Sequence, residues 1–201
     1  MTVHAYGRSP EEAIADVMKW MYRRGLVQIR GGNASIIDRS SGRVFISPTG
    51  VPRNLMDPSH VAILELDSGR ILRGEPSGEW RMHLEVYKKR GYEVSAVHAH
   101  PKHLLLIDRL GYGLDLSLLT EAKIHTRCIT RVPPLPPVSP ELAKEVGRVL
   151  EETECNVIIL EGHGVLVTSD KSIYHALDLL EAIEDTAYMS LKVREHNPRP
   201  S

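Results

Sequence analysis

Two histidines at the end of a strand-like run, answered much later by a third between glycines, constrain this fold more than any other feature of the chain. Val94 to Val97 is an apolar β-type run that closes in His98-Ala99-His100-Pro101. Residues two apart on a strand project from one face, so His98 and His100 aim two imidazoles at a common point. Glu161-Gly162-His163-Gly164 offers a third imidazole at a turn whose glycines permit close backbone approach. Three neutral imidazoles with one position left open are the donor set of a catalytic metal centre. Taken singly, the same residues also read as hydrogen-bonded strand histidines and a surface turn histidine. Ten histidines are many for this length and favour metal. His4, His60, His125 and His196 lack such a context and are expected at the surface. His83 and His103 lie close in sequence to the candidate site and stay open.

The chain has 201 residues, 42% of them hydrophobic, enough for one sizeable core, so a single domain over 1–201 is expected. Its formal charge of −1, from 25 basic and 26 acidic residues spread along the chain, gives no footprint for nucleic acid or an anionic membrane. Small molecules and copies of itself are the expected partners. No apolar run is long enough for a bilayer, and Met1 to Pro10 lacks the order of a signal peptide, which points to the cytoplasm. Cys128 and Cys155 fit no C-x-x-C pattern and are expected as two reduced thiols.

Ser9-Pro10-Glu11-Glu12 predicts a helix running to about Arg24 and stopping at Gly25. Two hairpins follow, Ala34–Ile37 with Val44–Ile46 around Ser40-Ser41-Gly42, and Val61–Leu66 with Ile71-Leu72 around Asp67-Ser68-Gly69. A helix between Gly78 and Arg90 precedes the His98 strand, and Pro101 starts a short leucine-rich helix. Arg127 to Val132 reads as a strand ending in a stiff proline connector, Pro133-Pro134-Leu135-Pro136-Pro137. Ser139-Pro140-Glu141 opens a helix to about Glu154, strands flank the Gly-His-Gly turn, and a last helix follows Ser172 before a frayed end at Asn197 to Pro200. This order predicts an α/β domain, a mostly antiparallel sheet with helices on both faces. It argues against Rossmann and TIM architectures, which need repeated βα units.

Three polar segments could serve an anion. In Glu75-Pro76-Ser77-Gly78-Glu79-Trp80, Ser77 and the Gly78 N–H stand at a helix start, where free amides and a partial positive charge favour phosphate; a plain helix cap is the alternative. Glu79 is then either a first-turn acid or a carboxylate aimed at a metal. Gly31-Gly32-Asn33-Ala34-Ser35 and Ser47-Pro48-Thr49-Gly50 are small loops at strand ends that present amides and hydroxyls, and neither is a P-loop or a dinucleotide fingerprint.

In this order, Gly32-Asn33-Ala34-Ser35, Ser47-Pro48-Thr49-Gly50, Pro76-Ser77-Gly78-Glu79-Trp80, His98-Ala99-His100-Pro101 and Gly162-His163-Gly164 resemble the class II aldolase/adducin family, and within it the fuculose-phosphate aldolases, from about Glu11 to Ala187. The resemblance implies a three-layer α/β/α sandwich around a mainly antiparallel sheet, commonly a homotetramer with active sites at subunit interfaces. It implies Zn²⁺ on His98, His100 and His163, with Glu79 as catalytic acid/base that can also touch the metal. Asn33, Thr49, Gly50, Ser77 and Gly78 would hold the substrate phosphate. The implied reaction is reversible cleavage of a phosphorylated ketose into dihydroxyacetone phosphate and an aldehyde through a zinc-stabilised enediolate. A sugar-phosphate 4-epimerase, a dehydratase and a non-catalytic adducin-like interaction module are the alternatives. The chain departs from the family twice. Many fuculose-phosphate aldolases have Ser-Ser-Glu where Ser77-Gly78-Glu79 stands, and their tyrosine beyond the first histidine is replaced by Leu118-Leu119-Thr120-Glu121, with no tyrosine after Tyr188 to match a second near the C-terminus.

Overall fold

The capping residues that open the first helix do what their chemistry predicts. In the computed structural model, which describes residues 7–196, Ser9 accepts from the Glu12 amide and Glu12 returns a bond to the Ser9 amide, ahead of α1 (Pro10–Arg23). Gly25, with φ +73°, then turns the chain out of the helix. Both expected hairpins form: β1 (Asn33–Asp38) with β2 (Arg43–Ile46), and β3 (Ala62–Glu65) with β4 (Ile71–Arg73). After α2 (Trp80–Lys89) come β5 (Ser95–Ala99) and α3 (Lys102–Arg109). A further helix, α4 (Thr120–His125), was not expected from sequence; six residues carry too little periodicity to show. The chain continues through β6 (Ile129–Val132), α5 (Pro140–Glu152), β7 (Val157–Leu160), β8 (Gly164–Ser169) and α6 (Ile173–His196). His4 and Asn197 to Pro200, for which surface placement and fraying were expected, lie outside the described residues.

The strands form one eight-stranded sheet in the order β4-β3-β2-β1-β5-β8-β7-β6. All neighbours are antiparallel except β6 and β7, which run parallel across the α5 connection. Helices cover both faces, so the α/β/α sandwich is observed. Alternation along β5 assigns its faces: Val97 and Ala99 enter the core built with α1, α3 and α6, while Ala96 enters the core built with α2 and α5. His98 and His100 therefore leave β5 on the α2/α5 side. The long α6 is buried over much of its surface because it packs against β5, β8, α1 and α3. Among the described residues, no helix is long and apolar enough to cross a membrane.

The expectation of two reduced thiols is corrected. Cys128 and Cys155 form a disulfide with Cα atoms 4.4 Å apart. Each precedes one strand of the parallel pair, in which Ile129 stands opposite Val157, and this pairing brings two distant positions together. Closing a 27-residue separation should stabilise the fold by about 3 kcal/mol. Thiol titration of the native protein should find no reactive thiol and two after reduction, with the unfolding free energy from urea titration lowered by that amount on reduction.

Candidate active site

The site is built where the end of β5, the β7–β8 turn and the start of α2 converge. β5 delivers His98 and His100, and the turn delivers His163. Gly164 makes the approach possible: a Cβ there would lie 2.4 Å from the Ala99 carbonyl oxygen and 2.8 Å from the His100 ring. The three rings stand with centroids 4.8, 4.8 and 5.4 Å apart, and one ligand nitrogen from each lies within 4.8 Å of the others. The convergence expected from sequence is therefore present.

The hydrogen bonds around the rings decide which nitrogens are free. His98 Nδ1 donates to the Val165 carbonyl at 3.0 Å, and His100 Nδ1 donates to Gln28 Oε1 at 3.2 Å. With protons on both Nδ1 atoms, the two Nε2 atoms present lone pairs to each other across 3.0 Å. Two acceptors at that distance repel unless a cation lies beside them. His163 Nδ1 is buried without a hydrogen-bond partner among the described residues. Burial holds His98 far below the usual imidazole range, brings His100 down to about 4 and lowers His163, so all three stay neutral at physiological pH. Neutral imidazoles with converging lone pairs fit a divalent metal ion, which His98, His100 and His163 would hold.

Glu79 caps α2 beside this cluster, 7% exposed, with Oε1 3.8 Å from His163 Nε2. Burial raises its carboxyl pKa, and the Val138 amide, donating to Oε1 at 3.0 Å, counteracts that in part. Val138 is the sole non-glycine residue with positive φ among the described residues, at 67°. A β-branched side chain in that region is strained by about 1–2 kcal/mol. The strain is tied to the site twice: the amide holds Glu79, and the methyl groups lie 3.0 and 3.2 Å from where a Gly78 Cβ would be. Val138 thus fills the space that the second serine of Ser-Ser-Glu would need.

The three polar loops come together as well. Ser47 Oγ accepts from the Ala34 amide, the Ser77 amide donates to the Ser47 carbonyl at 2.9 Å, and the Thr49 amide donates to Glu75 at 3.3 Å. Asn33, Ser77 and Glu79 are buried, whereas Thr49 and Gly50 face solvent. Sequence reasoning left His83 open and passed over what lies behind Asn33. His83 is fully buried; its Nε2 donates to Asn33 Oδ1, its Nδ1 accepts from Ser35 Oγ at 2.6 Å, and Tyr87 donates to Ser35 at 2.7 Å. With its oxygen engaged, Asn33 is left with its NH₂ as the free donor, the polarity an anion needs. The available signal was helical spacing: His83, Val86 and Tyr87 share one face of α2. Outside the site, His103 binds Glu184, and His60 and His196 are exposed. His125, expected at the surface, is half-buried against His175.

The sequence pattern of the Class II Aldolase and Adducin N-terminal domain matches residues 12–191. The chain belongs to this family. It is 33% identical over 170 residues to the L-fuculose phosphate aldolase of Methanococcus maripaludis strain C7, covering 85% of this chain and 89% of that protein. It is also 33% identical over 179 residues to the 5-deoxy-D-ribulose 1-phosphate aldolase of Bacillus thuringiensis serovar kurstaki, covering 86% of this chain and 80% of that one. Among solved structures, the sugar-phosphate aldolase of Thermotoga maritima has the same fold, with a TM-score of 0.82 at 23% identity over 97% of this chain and 99% of that one.

Two outcomes follow from this geometry. Unfolded imidazoles protonate near 6.5, whereas in the fold His83 waits until about 3 and His100 until about 4. Between those values the unfolded chain binds more protons, so the metal-stripped protein should lose stability steadily as pH falls from about 6.5 towards 4, measured by urea unfolding across that range. Separately, Val138→Gly keeps the amide on Glu79 and removes the backbone strain. It should leave stability unchanged or raise it by about 1 kcal/mol, and a loss larger than this in urea unfolding would show that the valine contacts outweigh the strain.

Proposed function

We propose that the protein is a metal-dependent aldolase, with zinc as the metal, that reversibly cleaves a phosphorylated ketose of the fuculose-1-phosphate type into dihydroxyacetone phosphate and an aldehyde. The single observation that carries this reading is the convergence of His98, His100 and His163 beside the buried carboxyl of Glu79. Two relatives at 33% identity are named as aldolases of phosphorylated deoxy sugars, which supports the substrate class. A divalent ion bound there would act as a Lewis acid towards the negative charge that C–C cleavage leaves beside the ketose carbonyl.

The chain's own residues supply the rest. Neutral imidazoles leave the cation its full charge. Glu79, with a pKa raised by burial, suits giving and taking the proton at the ketose carbon freed by cleavage. The donors of Asn33, Thr49, Gly50, Ser77 and Gly78 anchor the phosphate and orient the sugar by remote binding energy. At the first of the family's tyrosine positions this chain reads Leu118-Leu119-Thr120-Glu121, so a different acid would serve the aldehyde half there. An aldolase is favoured over a 4-epimerase by the glutamate at 79, where ribulose-phosphate 4-epimerases resemble this chain but carry aspartate. The same reading takes the chain as one domain that assembles as a homotetramer; Ile124 on α4 and Tyr188 and Val193 on α6 leave large apolar surfaces suited to burial against further copies.

His98→Ala and His163→Ala should abolish both metal retention, measured by elemental analysis, and retro-aldol turnover on a panel of phosphorylated ketoses. Glu79→Gln should retain metal and lose about 10²-fold or more in kcat. Full turnover by a chelator-treated, metal-free enzyme would sink the proposal.

A further inference from the structure

Arg53 opens a short 3₁₀ turn, Arg53–Leu55, and is of a residue type that normally lies in solvent, yet it is only 2% exposed. Its guanidinium spends every donor on a backbone carbonyl. Nε donates to Gly31 at 2.9 Å, Nη1 to Pro48 at 3.0 Å and Val51 at 3.3 Å, and Nη2 to Arg30 at 3.1 Å and Gly32 at 2.8 Å. These carbonyls belong to the two loops placed at the candidate phosphate site. Gly32 directly precedes Asn33, and Pro48 and Val51 flank Thr49-Gly50. The guanidinium therefore sits behind the loops, one peptide layer from the groups that would meet the anion.

Its charge is unusual for its surroundings. Arg90 is as deeply buried and also binds carbonyls, but Glu93 lies 3.6 Å from it. Arg53 has no carboxylate partner among the described residues; desolvation is what acts on it, lowering its pKa to about 10 and leaving it protonated at physiological pH. A buried cation compensated only by carbonyl dipoles is an incomplete charge arrangement. An anion on the outer side of the same loops would complete it, and attraction through protein is screened less than attraction through water.

We propose that Arg53 is the charge partner of the substrate's phosphate: a positioning residue that fixes the Gly32-Asn33 and Thr49-Gly50 loops and supplies, from behind them, the positive charge that selects a phosphate dianion over a neutral group. The inference rests on the phosphate-site reading above and goes beyond it, because Arg53 never touches the substrate. A staple without an electrostatic role would need the fork of five donors but not the charge, and this separates the two roles.

The test is calorimetric titration of inorganic phosphate into the metal-loaded protein and its Arg53→Gln and Arg53→Lys variants, with metal content measured alongside. Lysine keeps the charge and meets at most about three of the five carbonyls, whereas glutamine loses the charge. The expected result is phosphate affinity within about threefold of wild type for Arg53→Lys, even where its melting temperature falls, and weaker by about tenfold or more for Arg53→Gln. In turnover, Arg53→Gln should raise KM for a phosphorylated ketose with a smaller change in kcat, and should raise it more than Arg53→Lys does. Equal losses in both variants, no loss in Arg53→Gln, or no phosphate binding by wild type would overturn the proposal. If Arg53→Gln does not fold, Arg53→Lys decides alone: retained affinity supports the charge, and a loss of about tenfold or more refutes it. Failure of the aldolase reading looks different, as phosphate binding that follows the charge while no phosphorylated ketose is cleaved. Cleavage with an unchanged KM in Arg53→Gln would remove Arg53 alone.

Discussion

The register of β5 between β1 and β8 is the constraint on which the site depends. Asn33 on β1 stands directly opposite His98 on β5, and Ala99 stands opposite Val165 on β8, whose carbonyl accepts the hydrogen bond from His98 Nδ1. The residues proposed for the anion and for the metal are thus fixed across one rung of a ladder. A slip of one residue would turn His98 and His100 into the core beneath α1 and α6 and bring Val97 and Ala99 out to the site. Apolar alternation on both faces prevents this: Val97 and Ala99 are wholly buried on one side and Ala96 on the other. The geometry of the candidate site is a consequence of ordinary sheet packing.

Local signals were legible in the sequence and long-range ones were not. The caps at Ser9 and Ser139, both hairpins and the His98-Ala99-His100 pair each need only a few neighbouring residues, and each stands where its pattern placed it. The Cys128–Cys155 bridge depends on β6 and β7 running parallel through the α5 crossover, a pairing that neither strand encodes locally. Arg53 and Val138 escaped for a different reason. Composition places an arginine in solvent and a valine after prolines in an extended connector. Only tertiary closure buries the first and forces the second into the left-handed region.

The buried polar groups behind the site follow one electrostatic logic. Where a cation is to be held, burial keeps the imidazoles of His98, His100 and His163 uncharged, so that they offer lone pairs without positive charge of their own. Where an anion is to be held, the side chain placed behind the loops is the one type that burial does not discharge, an arginine. His83 belongs to the first kind and serves the second. Neutral and fully buried, it engages the Asn33 oxygen and so turns an ambiguous amide into a donor. The two halves of the site differ in sign through what burial does to each residue type.

This logic also accounts for the departure at Gly78. Where many fuculose-phosphate aldolases carry a second serine, this chain lacks the side chain, and the methyl groups of Val138 occupy the space it would take. The lost hydroxyl removes one donor from the proposed anion site, but the Gly78 amide remains at the start of α2, where the helix dipole favours negative charge. The same Val138 gives its own amide to Glu79, so the residue that closes the serine's space also holds the carboxyl beside the histidine cluster. With fewer hydroxyls at the proposed phosphate site, recognition would lean on amides and on the charge of Arg53 behind the loops. The strain at Val138 then has a structural reason, since a valine relaxed to negative φ would take both the amide and the methyl groups away from Glu79 and Gly78.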